Sequence, residues 1–164
     1  MYKYEKMVIP MLLCAILFSA CARSVPGGFR GMIWGQENSS FPDLVYDSTD
    51  PSHGGIKFYT KKDENLHIGN FVAEKILYGF WHDKLCSVEV IVAGNVNWEG
   101  LKLAAFEKFG SQPDSHLDSF SWSNDTTNIS LKREVHDKGV LWLHSREIAK
   151  QQEAYDRHKA KEGL

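Results

Sequence analysis

Residues 73–109 constrain the fold of this chain more than any other stretch. Apolar residues alternate with period two over 76–81 and again over 85–93, and the polar His82-Asp83-Lys84 lies between the two runs. That is the pattern of two strands joined by a tight turn. Gly94-Asn95-Val96-Asn97 ends the alternation, and the period then changes. Leu101, Ala105 and Phe109 recur at helical spacing, with Trp98 and Phe106 widening the stripe. The spacing predicts a helix from Trp98 with Asn97 as its N-cap, Glu99 in the first turn and Lys108 in the last, each charge suiting its end of the helix dipole. Gly110 follows as the C′ residue and Pro113 blocks continuation. A hairpin that feeds an amphipathic helix must cover one sheet face with that helix. A doubly wound parallel sheet, which needs strands and helices in alternation, is excluded.

Weaker signals fill in the rest. Residues 29–35 and 56–60 alternate and predict strands, and 66–68 predict a short third. Residues 36–55 read as loop with one helical turn near 40–45. Runs at 119–123, 128–135 and 140–145, the last two separated by His136-Asp-Lys-Gly139, predict an antiparallel meander. Residues 148–161 are rich in Ala, Glu and Lys and predict a helix. Its apolar stripe of Ile148 and Tyr155 is thin, so the sequence predicts a solvated, fraying tail. The fold class is therefore α+β: an antiparallel β-sheet with one well-formed amphipathic helix packed on one face and a polar C-terminal helix. The expected divisions are a signal at 1–20, a flexible tether at 21–28, a single domain at 29–147 and a polar helical tail at 148–164. A length of 164 residues suits one domain. With 43% hydrophobic and 24% charged residues the chain has globular composition. Its net charge of −2 lacks the basic excess of a nucleic-acid binder, and no nucleic-acid partner is expected.

The N-terminus carries an address. Lys3 and Lys6 precede an uncharged apolar run over 7–18. The run is shorter than the roughly 20 residues a permanent span needs, and it reads as a secretory signal. Leu17-Phe18-Ser19-Ala20-Cys21 resembles the lipobox of bacterial lipoproteins. That resemblance implies diacylglycerol on the Cys21 thiol and cleavage on its N-terminal side. The residues after it, Ala22-Arg23, lack the Asp that holds many lipoproteins at the inner membrane. The resemblance therefore implies the periplasmic face of the outer membrane. Ala20-Cys21-Ala22 also fits an A-x-A site, with cleavage after Ala22 and release of a soluble periplasmic or secreted protein. Once Cys14 leaves with the signal and Cys21 is acylated, Cys86 alone remains and reads as a buried core thiol.

A wider likeness rests on Gly28-Phe-Arg-Gly-Met-Ile-Trp-Gly35, Lys84-Leu-Cys-Ser-Val-Glu-Val90 and Phe106-Glu-Lys-Phe-Gly-Ser-Gln-Pro113, with Trp122 opening the meander. These segments look like those of a group of uncharacterised bacterial envelope lipoproteins. The resemblance implies location and fold, and assigns no functional residue.

Candidate chemistry is sparse. The seven histidines show no H-x-x-x-H or H-E-x-x-H spacing, and no cysteine pair accompanies them, so neither metal nor cofactor is expected. His82-Asp83 and His136-Asp137 could hold a divalent ion if their hairpin tips met, though both read first as turn residues. Asp43, Asp47, Asp50 and His53 cluster in one loop without the spacing of a calcium loop. No G-x-S-x-G elbow occurs. Aromatic residues are the stronger lead. Met32, Trp34, Tyr59, Trp81 and Trp142 alternate against inward positions, and the pattern predicts that some form an interaction surface on the second sheet face. The expected function is a lipid-anchored periplasmic binding or scaffolding protein with an envelope protein as partner. The alternative is a small periplasmic hydrolase using His53 or His144 with nearby carboxylates.

Overall fold

The computed structural model describes residues 27–111 and 118–163. The expected signal at 1–20, Cys21, the expected tether up to residue 26 and Pro113 lie outside the described residues. In chain order the strands are β1 (Gly28–Phe29), β2 (Met32–Ile33), β3 (Leu44–Asp50), β4 (Ile56–Lys61), β5 (His67–Ile68), β6 (Phe71–Val72), β7 (Lys75–Trp81) and β8 (Lys84–Ala93). Helix α1 (Asn95–Phe109) follows, then β9 (Ser119–Ser123), β10 (Thr127–Arg133), β11 (Lys138–Ser145) and helix α2 (Arg146–Glu162).

Seven strands form one sheet in the order β3-β4-β7-β8-β11-β10-β9, with every pairing antiparallel. The chain leaves β8 through α1, re-enters at the far edge as β9, and meanders back so that β11 pairs with β8. The register explains why α1 docks where it does. One row across five strands runs Ile76, Val90, Leu141, Leu131, Phe120, and the next runs Tyr78, Val88, Leu143, Ile129, Trp122. Most of these side chains are buried, and Trp98, Leu101 and Ala105 of α1 join them in the main core. Because side chains alternate along a strand, the intervening positions face the other way. Their rows run Leu77, Glu89, Trp142, Ser130, Ser121 and Phe58, Gly79, Ser87, His144, Asn128, Ser123. The second face thus grades from apolar at β4 to polar at β9.

Helix α2 covers the apolar end of that second face. Its Ile148 packs with Ile56, Trp81 and Cys86, while Phe58 and Tyr155 flank the cluster. Ser145 caps the helix, its hydroxyl accepting from the Ile148 amide at 3.3 Å. The Tyr155 hydroxyl lies so close to Gly54, whose φ is +81°, that a Cβ there would sit 2.5 Å from it. The predicted fraying tail is therefore corrected over this part of its length: Ile148, Gln152 and Tyr155 form a stripe that the sheet receives. The two apolar members suffice because Trp81 and Ile56 supply the rest of that small core.

Three other expectations change. Residues 29–35 are not one strand. Arg30 (φ 47°) and Gly31 (φ 83°) turn the chain into a two-stranded hairpin that begins at Gly28, one residue before the expected boundary. The predicted loop at 36–55 contains β3, a full edge strand. The N-cap position of α1 is Gly94, not Asn97. Asn97 instead ties β6 to the helix, its Oδ1 accepting from the Val72 amide at 3.1 Å and its Nδ2 donating to the Ala93 carbonyl at 2.9 Å.

Candidate functional site

The main core is not completely filled. Between α1 and the sheet lies a cavity of about 120 Å³. Val90, Leu141 and Leu143, all from the two apolar rows, form its floor. Leu101, Ala104, Ala105, Lys108 and Phe109 of α1 form its roof, and Phe29, Ile68 and Phe71 its flanks. The space exists because α1 presents two alanines to the floor where leucines would fill it. Phe71 packs closely against Gly100, where an added Cβ would meet it at 2.7 Å. A dry apolar cavity of about 150 Å³ is enough to admit benzene, so this one can take roughly six carbon atoms. Lys108 is the one charged residue of the lining. It is exposed and makes no ion pair or hydrogen bond among the described residues.

The second face carries two opposed titration shifts on neighbouring rows. Glu89 is half-buried, and burial raises its pKa, with a side-chain hydrogen bond from Trp142 working against that and the charge of Asp50 adding to it. Two positions away, on the neighbouring row, partial desolvation lowers the pKa of His144, although the residue as a whole is exposed. A shallow depression beside His144 is lined by Ser121, Ser123, Asn128 and Ser130. No hydrogen bond joins Glu89 to His144 among the described residues, so the two are neighbours rather than a coupled acid–base pair.

The aromatic surface expected from the sequence is not assembled. Met32 is only 2% exposed and lies in the main core, with Trp34 and Tyr59 packed against it. The β1–β2 hairpin folds over the α1 side of the sheet, and Trp34 Nε1 donates to Thr127 Oγ1 at 2.7 Å. Trp81, 7% exposed, belongs to the small core under α2 and donates to the His53 carbonyl at 2.8 Å. Of the five, Trp142 alone sits half-buried on the polar part of the second face. Met32 lies in the β1–β2 hairpin and Trp34 just beyond it, while Tyr59 and Trp81 face opposite sides of the large sheet, so alternation along the chain does not bring them together.

The loop acids and histidine do not converge either. Asp47 pairs with Lys75, which holds its carboxyl below the usual range. Asp50 is held low by the Ser52 hydroxyl and amide. His53 Nδ1 lies 2.6 Å from Asp156 Oδ2 of α2. Each group is tied to a separate structural partner. The two His-Asp tips lie at opposite ends of β8, since Trp81 pairs with Lys84 while Lys138 pairs with Ala93. A ten-residue strand spans about 33 Å, so the tips cannot share an ion. Both are turn residues with positive φ: His82 47°, Asp83 61°, His136 60° and Asp137 56°. No group of three potential metal-ligating side chains occurs among the described residues. Cys86 does not continue the Val88-Val90-Val92 face. A register shift opposite Gly79 and Phe80 turns it toward α2, where burial pushes its thiol up to about 11.

Lys108 and Glu89 are the residues that sequence reasoning missed. Lys108 reads locally as a dipole-compensating cation, and its place beside a cavity depends on distant strands. Glu89 was visible as the single carboxylate inside an otherwise apolar alternating run. Set against protein-family models, curated proteins and solved structures, the chain matches none of them.

Proposed function

We propose that this protein is a lipid-anchored binding or scaffolding component of the bacterial envelope, held by acylated Cys21 at the periplasmic face of the outer membrane. The single observation that carries the binding reading is the apolar cavity beneath α1 with the unpaired Lys108 in its wall. Unfilled apolar space of this size costs dispersion and hydrophobic energy that an apolar ligand would recover. The anchor rests on Leu17-Phe18-Ser19-Ala20-Cys21. Two acyl chains on one thiol would hold the domain firmly, whereas one chain gives only marginal binding. An envelope protein partner fits the same reading, with contact sought around the cavity mouth rather than on the second sheet face.

The hydrolase alternative draws on one observation, the opposed pKa shifts of Glu89 and His144 on neighbouring rows. It requires that His144→Ala abolish an esterase or amidase activity of the membrane-bound protein while leaving its thermal stability unchanged.

Fractionation of cells expressing the full chain tests the anchor. The wild-type protein is expected in the outer-membrane fraction, resistant to alkaline washing. Cys21→Ser is expected to leave the signal uncleaved or the protein released. A wild-type protein recovered in the soluble fraction and beginning at Arg23 would establish the secreted alternative instead.

A further inference from the structure

We infer that the cavity beneath α1 binds a free carboxylic acid with a short single acyl chain, the chain end among Phe71, Leu101 and Leu143 and the carboxylate at the Lys108 ammonium. The inference deepens the binding reading above and rests on it. Its first ground is the chemistry of the walls. Ten of the eleven lining residues are apolar, and the remaining one is a cation. Lys108 has no acidic partner among the described residues, which is also true of Lys62, Lys84, Lys150 and Lys161, but of these Lys108 alone lines the cavity. An apolar interior with one unneutralised ammonium is complementary to a ligand with an apolar body and one negative charge. A neutral hydrocarbon would leave the ammonium unused, and a cation would be repelled by it.

Size decides among anionic amphiphiles. A cavity of about 120 Å³ takes roughly six carbons. A two-chain phospholipid would leave nearly all its apolar surface in water. A short fatty acid buries most of its chain and places its head one helical turn from Ala104 and Ala105, where Lys108 stands. The Lys108 side chain is long enough to follow a carboxylate while its methylenes stay on the apolar rim.

The test uses the full-length protein in isolated envelope membranes and a photoreactive probe, hexanoic acid carrying an alkyl diazirine. Light-dependent labelling is expected within residues 98–109 or 138–145. Unlabelled acids should compete, each added methylene strengthening competition roughly fourfold from butanoate to hexanoate, with a plateau once the cavity is full. Hexan-1-ol should compete about fivefold less well than hexanoate against the wild type, as expected for an exposed ion pair. Against Lys108→Gln the two should compete equally. Lys108→Glu should exchange preference, losing the acid probe and gaining the matching diazirine hexylamine. Ala104→Leu, which puts a side chain into the space, should abolish labelling by both probes. Because Lys108 is exposed and unpaired, its variants keep the fold. Labelling scattered outside the two segments, competition indifferent to chain length, or a probe preference unmoved by Lys108→Glu would each overturn the inference. If labelling behaves as expected while Cys21 carries no lipid, the anchor fails and the ligand stands. If Cys21 is acylated and the probe finds no site, only the ligand fails.

Discussion

At the scale of single residues, buried side-chain polar atoms among the described residues are hydrogen-bonded, apart from Trp98 Nε1 and Gln152 Nε2, and the paired ones serve structure. Tyr78 is fully buried, and its hydroxyl donates to Glu64 Oε1 at 2.5 Å while Arg30 Nη1 reaches the same oxygen at 3.0 Å. Burial first, and the Glu64 carboxylate second, push the Tyr78 pKa far above its ordinary value. The triad clamps the loop at 62–66 and the β1–β2 hairpin onto β7. Tyr78→Phe should cost about 1 kcal/mol, since Glu64 keeps Arg30, whereas Glu64→Ala should cost about 2–3 kcal/mol by stranding the buried hydroxyl. Denaturant unfolding of both variants reads the order, and equal costs would show that the hydroxyl has another acceptor. Glu89 gives a pH signature. Its folded pKa lies above the unfolded value, so its ionised form opposes folding, and that cost opens as pH rises through 4.5. Glu89→Gln can still accept from Trp142. It should raise the melting temperature at pH 8, with the gain shrinking towards pH 4. A gain that grows in acid would have the wrong sign.

At the scale of elements, α2 is the part whose role changed most between sequence and structure. Ile148 is buried under Trp81 and Ile56, so Ile148→Ala should cost about 2–5 kcal/mol. Amide exchange should protect residues 148–155 nearly as well as the sheet, with only the last turn exchanging fast. Uniform rapid exchange over 146–162 would restore the fraying tail. Gly54→Ala should destabilise by about 1–3 kcal/mol, because it strains a positive φ and displaces the Tyr155 ring. The reasons for the sequence's uneven legibility also sit at this scale. The β7–β8 hairpin and α1 were readable because Ile76, Val88 and Val90 alternate on a buried face and Leu101 and Ala105 recur on a buried stripe. β3 was not, because it is an edge strand: Val45 and Tyr46 are both exposed, and a register shift between Tyr46 and Ser48 breaks its alternation. The cavity was not readable at all. Its floor, roof and flanks come from residues as far apart as Phe29 and Leu143, brought together only by the return of β9–β11 to β8.

At the scale of the whole molecule, the described residues form one seven-stranded sheet with a helix on each face, beside two small two-stranded sheets, β1-β2 and β5-β6, and the two faces of the large sheet differ in kind. The α1 face is a core with a small apolar vacancy, and the α2 face grades into serines, Asn128 and His144. No helix among the described residues is long and apolar enough to cross a membrane. The proposed residence at the envelope would rest on covalent lipid at Cys21. The most direct measurement is the intact mass of the mature protein extracted from membranes, with the N-terminal peptide fragmented to place the modification. The account predicts a chain that begins at Cys21 and carries diacylglycerol on its sulfur. A mature chain beginning at Arg23, or one beginning earlier with an unmodified Cys21 thiol, would contradict it.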